Sequence, residues 1–510
     1  LAPQGELEDA DCLLVRAVEI QEEALGPDHP DLAASLHQRA VLLQAQGKLE
    51  EAAPFLVRAI DIKERAFGPD HPRLATTLAS HASLLEAQEL YAEADHVYRR
   101  YIEIREKALG PDHPEVAVSL HNRARLLPAQ GKLEEAGLLY VRAIEIREKV
   151  LGPDHPSLAA FLGNHAILLS SQGSYDEADR VYLRCIEIQE KALGPDHQEV
   201  AQTLTNRAIH LKKQGKLDEA DILLVRAIGI QEKAVGPDHP SLADSLGSRA
   251  DLLRAQVGEY DEADPLFVRA IKIQETAIGP DHSELATSLH NRAILLKAQG
   301  KLDEADPLLV RAIQIWEKTP GPDYPSITKS LKTRADLLQA QGKYDEADPL
   351  FVRAIAIQEK TLGPDDLNLA SSLGSRAELL ISQEKYDEAD HLYLRAVEIQ
   401  EKALGPDHPD LALSLNNRAE ILKGQGKHED SDLLYVRSIE ITENAFGPDH
   451  PSLAVTLTSR ACLLQQQQGK YQEADPLYLR ALDVFEQTLG SDHPYYADVL
   501  HNRAGLLQTQ

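Results

Sequence analysis

Residues 30–71 read PDLAASLHQRAVLLQAQGKLEEAAPFLVRAIDIKERAFGPDH, and this 42-residue repeat decides the fold because it recurs along the chain. In its first half, apolar residues recur at steps of four, four and three, at Leu32, Leu36, Ala40 and Leu43. The second half continues a similar spacing through Leu49, Ala52, Leu56, Ala59 and Lys63 or Ala66. Such spacing places apolar residues on one side of a helix, so each repeat is predicted to be a pair of amphipathic helices.

The segment Gly26-Pro27-Asp28-His29-Pro30 separates one repeat from the next. GPDHP recurs letter for letter at Gly68, Gly110, Gly152, Gly236, Gly405 and Gly447, with near copies at Gly194, Gly279, Gly321, Gly363 and Gly490. Gly26 is suited to close a helix in a left-handed conformation, and Pro27 prevents its continuation. Asp28 is predicted to cap the next helix, with Pro30 in its first turn. A metal site built from the Asp-His pairs is the alternative, which the spacing of about 8–10 Å between stacked helices disfavours.

Charge and length exclude several classes of partner. Among 510 residues, 82 are acidic and 53 basic, giving a formal charge of -29 that repels nucleic acid and anionic membranes. Because the sequence has neither an apolar run of about 20 residues nor signal-peptide features, a soluble cytoplasmic protein is expected. Cys12, Cys185 and Cys462 are too far apart for a disulfide framework or a zinc cluster, and Cys185 is predicted to be a small core residue.

The segment LHNRARLLPAQGKLEEAGLLYVRAI contains Asn122, Ala124, Leu127, Gly131, Leu133, Ala136, Tyr140 and Ala143. These residues resemble the small and large residues of the tetratricopeptide repeat. The 42-residue form, with QGKxxEA, RAIEI and LGPDHP, closely resembles the repeats of kinesin light chains and of NB-ARC-linked arrays. This resemblance implies an all-α fold, a right-handed α-solenoid of antiparallel helix pairs. Residues 1–510 are expected to form a single continuous array of about twelve repeats, truncated within a repeat at both ends.

One position departs from the kinesin light chain pattern, in which Leu is usual. Arg occupies this position in most repeats, at Arg39, Arg123, Arg207, Arg249, Arg292, Arg334, Arg376, Arg418, Arg460 and Arg503. His81 and His165 stand at the same position in the other two repeats. An Arg there can pair with an acidic residue of the partner helix, such as Asp264 or Glu262. We interpret this column as a structural ladder, with an anion-binding site as the alternative.

Motifs for catalysis or cofactor binding are missing from the sequence. Each Gly-Lys is followed by Leu, Tyr or His, so a phosphate-binding loop is excluded, and GxSxG, HExxH and paired cysteines do not occur. The sequence therefore predicts a noncatalytic protein without a cofactor or a metal. Trp316, the only Trp, replaces a Gln and is predicted to be exposed on a second helix.

In tetratricopeptide arrays the first helix of each repeat lines the concave face, which the resemblance implies is the binding surface. The best candidate site lies between residues 110 and 215 and comprises Asn122, Arg125, Asn164, Ile167, Asn206, Ile209 and Lys212. In similar repeats Asn at this position holds a bound peptide backbone, although a bond to a neighbouring helix explains it equally well. The two isoleucines suggest an apolar floor, with lysine at its edge.

A second candidate is the basic cluster of Asn291, Lys297, Lys329 and Lys332. This cluster is suited to acidic side chains or a carboxylate, and a solvated lysine face is the alternative. Gly163, Gly247 and Gly374 lie on the same face at a helix cost of about 0.8–1 kcal/mol relative to Ala. Close approach of a ligand backbone and neutral drift both explain these glycines.

Together these patterns predict a scaffold whose concave groove binds a peptide or a helix of a partner protein. Two alternatives stay open: a sensor or regulatory segment of a larger NB-ARC-type ATPase or other effector, and a structural array that associates end to end with itself. A nucleotide-binding domain in the full-length gene would favour the first alternative. Light scattering across protein concentration would test the second.

Overall fold

The structure of the protein, a computed structural model, describes residues 4–256, 259–318, 324–467 and 470–509. Side chains are described from Ala10 onward, that of Tyr324 excepted. The chain forms two compact units, unit 1 at Leu1–Gln256 and unit 2 at Val257–Gln510. Across the described ranges every regular element is helical, which confirms the predicted all-α fold.

Unit 1 contains α1 (Gln4–Leu25), α2 (Pro30–Ala45), α3 (Leu49–Phe67), α4 (Ala75–Ala87), α5 (Tyr91–Leu109), α6 (Pro114–Leu126), α7 (Leu133–Leu151), α8 (Ala159–Ser171), α9 (Tyr175–Leu193), α10 (Gln198–Lys213), α11 (Leu217–Val235) and α12 (Ser241–Ala255). Short 3₁₀ turns at Pro72–Leu74 and Pro156–Leu158 precede α4 and α8, and another at Leu127–Gln130 follows α6. Unit 2 contains α13 (Tyr260–Ala277), α14 (Ser283–Ala298), α15 (Leu302–Lys318), α16 (Tyr324–Ala340), α17 (Tyr344–Thr361), α18 (Leu367–Ser382), α19 (Tyr386–Leu404), α20 (Pro409–Gly424), α21 (His428–Phe446), α22 (Pro451–Gln466), α23 (Tyr471–Thr488) and α24 (Pro494–Thr509). Even-numbered helices are the first helices of the repeats, and odd-numbered helices are the second.

Each repeat buries its apolar residues partly against the next repeat. Leu32, Leu36, Ala40 and Leu43 of α2 are buried as predicted, as are Ala52, Leu56 and Ala59 of α3. The helix continues its buried side with Ile62, whereas Lys63 is only partly buried and Ala66 is exposed. Leu84 of the following repeat completes the cluster formed by α2 and α3. Each repeat therefore depends on its neighbour for a closed core, as expected for a stacked array.

The GPDHP segment ends one helix and begins the next, but its His and not its Asp is the cap. Nδ1 of His29 accepts a hydrogen bond from the backbone N–H of Asp31 at 3.2 Å. Pro30 lies in the first turn of α2, so the preceding residue takes the N-cap position. The predicted cap, Asp28, instead accepts a hydrogen bond from Arg65 at 3.2 Å.

The same use of the His recurs along the described chain. Nδ1 of the His accepts from the N–H two residues on at His71, His113, His155, His197, His239, His282, His408, His450 and His493. Where Asp366 replaces the His, its carboxylate caps α18 with a bond of 2.8 Å from the N–H of Asn368. The copy at residues 321–323 and the side chain of Tyr324 lie outside the described residues.

The Arg column forms the ladder that the sequence predicts. Nε of Arg292 lies 2.7 Å from a carboxylate oxygen of Asp264, which shows that Asp264 and not Glu262 is the partner. Equivalent pairs with the preceding second helix join Arg39, Arg123, Arg207, Arg249, Arg334, Arg376, Arg418, Arg460 and Arg503 to an Asp 28 residues earlier. Because each of these guanidinium groups already holds a carboxylate, the column ties helices together.

Two individual side chains test the burial predictions. Cys185 is fully buried, as predicted, and its thiol lies 3.2 Å from the backbone oxygen of Ala159. Trp316 was predicted to be exposed, and this prediction is wrong, since only 3% of the side chain is exposed. The Gln residues at this position are also mostly covered, and Gln231 donates to the backbone oxygen of Ser241 at the start of the next first helix. Trp316 therefore fills a space between helices in which smaller residues form a hydrogen bond.

Candidate functional site

The first helices form a common surface within each unit, here called the first-helix face. Successive first helices contact one another, as α8 contacts α10 and α10 contacts α12 in unit 1, and as α14 contacts α16 in unit 2. Hydrogen bonds cross between them, for example between His37 and Ser80 at 2.8 Å and between Thr205 and Ser245 at 2.8 Å. Side chains on this face therefore either link neighbouring helices or stay open to a partner.

The two isoleucines of the first candidate site are open. Ile167 on α8 is 45% exposed and Ile209 on α10 is 41% exposed. They stand at the same position of consecutive repeats, the position held by Val41 in the first complete repeat. The fold therefore leaves two large apolar side chains in solvent on adjoining first helices.

The charged residues predicted beside them already have partners. Arg125 on α6 is exposed, and its guanidinium lies 2.7 Å from the carboxylate of Glu86 on α4. Lys212 on α10 forms an ion pair with Asp251 on α12 and also donates to the backbone oxygen of that residue at 3.1 Å. Both cations thus contribute to the links between first helices, and their charge is balanced within the face.

The asparagines are half-buried and partly engaged. Nδ2 of Asn164 lies 2.9 Å from Nε2 of His121 on the preceding first helix. Asn206 accepts a weak hydrogen bond of 3.5 Å from Gln202 on its own helix. Asn122 lies beside His121 on α6 and is half-buried. For Asn164 the structure shows the bond to a neighbouring helix, which was one of the two predicted roles.

Histidine clusters on this face were not predicted from the sequence. The ring of His121 stacks on Phe161 with centroids 4.3 Å apart, and burial lowers the pKa of His121 to about 4. His210 bonds to Ser170 at 2.9 Å, and burial lowers its pKa as well. These imidazoles are therefore neutral near pH 7 and serve as hydrogen-bonding links between first helices.

The second predicted site, the basic cluster in unit 2, is largely neutralised. Lys297 on α14 lies 3.7 Å from the carboxylate of Asp336 on α16. Lys332 donates to the hydroxyl of Ser371 on α18 at 2.7 Å. Lys329 is exposed and Asn291 is half-buried. Since Asp336 lies between two of these lysines, the cluster is less basic than its sequence suggests.

Acidic residues dominate the next part of the same face. Asp336, Glu378 and Glu420 stand at the position that Ile167 and Ile209 hold in unit 1. The Tyr435 hydroxyl donates to Glu420 at 2.5 Å, and the Tyr393 hydroxyl lies 3.4 Å from Glu378. Following the position of Val41 through all repeats would have revealed these carboxylates, whereas their tyrosine partners depend on the fold.

Family comparison agrees with this architecture. The sequence profile of the tetratricopeptide repeat matches overlapping segments over the whole chain, at 1–65, 31–107, 80–149, 128–191, 157–233, 199–276, 242–318, 284–360, 327–402, 368–442, 412–474 and 463–510. The chain belongs to the tetratricopeptide repeat family. No curated protein matches it.

Solved structures similar to parts of this chain come from different kinds of protein. The nearly identical TPR-like repeats of a Podosopora anserina protein named as a kinesin light chain are 28% identical, covering 41% of this chain and 98% of that chain with a TM-score of 0.38. BtubC (BKLC) from P. vanneervenii is 17% identical, covering 48% of this chain and 94% of its own with a TM-score of 0.40. A signal transduction ATPase with numerous domains and a tetratricopeptide repeat sensor, from Pyrococcus horikoshii, is 15% identical, covering 76% of this chain and 54% of that chain with a TM-score of 0.53. The last likeness is one of fold alone.

The tetratricopeptide repeat fold is typical of protein–protein interaction, and proteins of this family are generally noncatalytic scaffolds. In the described ranges, no group of three His, Cys, Asp or Glu residues is arranged to hold a metal ion. None of the helices described for this tetratricopeptide array is both long and apolar enough to span a membrane.

Proposed function

We propose that the chain is a noncatalytic scaffold that binds a peptide or a helix of another protein along its first-helix face. The observation that carries this proposal is the exposure of Ile167 and Ile209 at the same position of adjoining first helices. Packing within the array leaves about two fifths of each side chain uncovered, so a partner has apolar area to bury. Covering the exposed part of both side chains contributes roughly 1–3 kcal/mol before the entropy cost of ordering the partner.

Polar side chains around the isoleucines supply orientation. The amide of Asn164 has two donor hydrogens and an oxygen that accepts two bonds, so one bond to His121 leaves capacity for a peptide backbone. Asn206 and Asn122 occupy the same position on the neighbouring first helices. Arg125 and Lys212 are already paired, so we assign them to the polar rim of the interface, where charge guides association more than it adds affinity.

A pull-down with a matched control tests this site. We expect the double variant Ile167→Asp/Ile209→Asp to lose partners that the wild-type chain captures, because two new charges would be buried against an apolar surface. The control is Ile222→Asp on the second helix α11, where the side chain is 68% exposed and lies off the first-helix face. This control should capture the same proteins as the wild type. Identical partner lists for all three chains would exclude the α8–α10 surface as the binding site.

A further inference from the structure

The first-helix face of unit 2 contains a cavity of about 700 Å³ between α18, α20 and α22. Leu413, Phe446 and Val455 form exposed apolar walls, with 67%, 53% and 45% of their side chains in solvent. The residues lining the cavity include Glu378 and Asn416 but neither Lys nor Arg. The cavity is therefore apolar at its sides, and it is lined by the carboxylates of Glu378 and Asp410 without a Lys or Arg beside them.

A missing side chain at Gly374 opens this space. At the same position of the preceding repeats, His290 bonds to Ser330 at 2.7 Å and Lys332 bonds to Ser371 at 2.7 Å, each across to the next first helix. Gly374 has no side chain to cross from α18 to α20. A Cβ added at Gly374 would lie 3.7 Å from the Tyr393 ring, an ordinary contact, so packing does not require glycine here.

Glu378 lacks the cation that its neighbours have. In the adjoining repeats, Asp336 lies 3.7 Å from Lys297, and Glu420 pairs with Lys423 one turn later on its own helix. Ile381 takes the place of that lysine after Glu378, and the ion pairs of the described chain include none with Glu378. Its partner is the Tyr393 hydroxyl at 3.4 Å, which in turn accepts from Nδ2 of Asn417 at 3.2 Å. The Glu378 residue stays exposed, and partial burial of its carboxyl group raises the pKa of Glu378, while the charge of Lys332 on α16 acts in the opposite direction.

Two amide oxygens at the cavity lack a hydrogen-bond donor. Oδ1 of Asn416 and Oε1 of Gln400 are buried, and neither has a hydrogen-bond partner among the described residues. On α22, the next first helix, the cavity is lined by Val455 and Thr456. The side chain of Val455 has no donor group, and the hydroxyl of Thr456 donates to the backbone oxygen of Ser452 on its own helix at 3.4 Å. The Gln oxygen at the position of Gln400 also lacks a partner in other repeats, as at Gln274 and Gln358, so the Asn416 oxygen is the one that distinguishes this cavity. Buried polar atoms usually have a partner, and the Asn416 oxygen therefore marks a place where a donor-rich group from outside would fit.

We propose that this cavity binds an arginine side chain presented by a partner protein. This proposal rests on the proposed function, because it assigns a ligand chemistry to the same type of face. A guanidinium group has five N–H donors and a fixed positive charge, and so suits a carboxylate together with separate amide oxygens. Its aliphatic stem can lie against Leu413 and Val455 while the head reaches Glu378. The net charge of -29 further favours approach of a cationic segment.

A pair of defined peptides tests this assignment on the full chain. The fluorescein-labelled, end-blocked peptide GLRLG and its analogue with neutral citrulline in place of arginine are compared by fluorescence polarisation. We expect the arginine peptide to bind about tenfold more tightly, because only the cation forms a charge-assisted bond with Glu378. Glu378→Gln should bring the two affinities together, whereas Glu420→Gln, at a carboxylate that already has a cation, should preserve the difference.

Gly374→Leu provides a second variant that retains every charge. It should weaken the arginine peptide about tenfold by filling the cavity, while the melting temperature stays equal or rises because glycine is replaced within a helix. Equal binding of the two peptides by the wild type, or a preference that persists in Glu378→Gln or in Gly374→Leu, would overturn the proposal. Since these peptides probe unit 2 alone, such a result leaves the Ile167/Ile209 experiment in unit 1 unaffected.

Discussion

The region α6–α10 of unit 1 and the region α16–α20 of unit 2 have the same core but different first-helix faces. Leu120, Leu162 and Leu204 are buried in the first region, as are Leu331, Leu373 and Leu415 at the same positions of the second. On the face, the first region carries Ile167, Ile209 and buried histidines, whereas the second carries Asp336, Glu378 and Glu420. The comparison teaches that the packing positions keep the helices stacked, while the face positions are free to change their chemistry from one repeat to the next.

The largest expected difference between the two regions is their response to acid. Burial lowers the pKa of His121 to about 4, and it lowers the pKa of His165 and of His210. Well above pH 6.5 these histidines are neutral whether the chain is folded or unfolded. As the pH falls from 6.5 to about 4, the unfolded chain takes up protons that the folded chain does not. His121 alone should therefore destabilise α6–α10 by about 3 kcal/mol at pH 4.

In α16–α20 two carboxylates have the opposite sign. Burial raises the pKa of Asp336 and of Glu378, so their contribution to stability is present at acid pH and is lost as the pH rises through the folded-state pKa. Hydrogen bonds from Lys423 and Tyr435 outweigh burial and lower the pKa of Glu420, whose contribution is lost as the pH falls, so this region should lose less stability in acid than α6–α10. Hydrogen exchange of each region, corrected for the intrinsic pH dependence of exchange, measures both trends. His121→Asn should flatten the acid response of α6–α10 and leave α16–α20 unchanged. Parallel pH profiles in the two regions would contradict this difference.

A smaller effect on stability is expected from the Arg ladder, which both regions contain. Arg292→Leu leaves the carboxylate of Asp264 half-buried and without its cation, and should lower the free energy of unfolding by about 1–2 kcal/mol. Thermal unfolding together with hydrogen exchange of α13 and α14 measures the loss. An unchanged or higher melting temperature would count against a structural pairing.

The chain itself supplies the control for this variant. Two contacts between neighbouring repeats lack the Asp of the ladder, because Ala53 and Gly137 stand in its place. The residues 28 positions later are His81 and His165 rather than Arg. The double variant Asp264→Ala/Arg292→His reproduces the natural pair Ala53 and His81. It should be more stable than Arg292→Leu because it leaves no unpaired carboxylate. If both variants lose the same stability, the ladder acts through its side-chain volume and not through the pairing.

The fold followed from the sequence because it depends on residues that recur every 42 positions. The buried positions Leu32, Leu36, Ala40 and Leu43 needed only the helical period. The pairing of Arg292 with Asp264 was correctly expected. Two repeats in which the Asp and the Arg are both replaced would have strengthened this prediction. The cap was misassigned because Asp ranks above His as a cap, although Pro30 in the first helical position already indicated His29.

The site was less predictable because its side chains bond to residues of the neighbouring repeat. Exposure of Ile167 and Ile209 followed from their place on the helix, but the bond from Asn164 to His121 joins residues 43 positions apart. Trp316 was misjudged because a Gln at its position suggested solvent, whereas that position packs against the next first helix. Contacts of this kind depend on how two repeats meet, which the period within one repeat does not specify.

The smallest predicted effect concerns a turn that occurs once in each unit without its glycine. Glu89 in unit 1 and Glu384 in unit 2 have φ of +60° and +61°, where other repeats have glycine, as at Gly426 with φ of +75°. A residue other than glycine in this left-handed conformation loses about 1–2 kcal/mol of stability. Replacing it with glycine removes this cost, but the greater freedom of glycine in the unfolded chain offsets part of the improvement.

Glu384→Gly should therefore stabilise the α18–α19 turn by about 0.5–1 kcal/mol, seen as slower hydrogen exchange of the adjoining helix ends. Glu89→Gly should produce a similar gain at the α4–α5 turn, because the backbone strain is the same while the face residues differ. Gly426→Ala is the reverse control and should destabilise its own turn, since a Cβ there meets no atom within 4 Å and only the conformation penalises it. Unequal gains in stability from Glu89→Gly and Glu384→Gly would mean that residues of the first-helix face influence the adjoining turns. Packing positions and face positions would then not act independently.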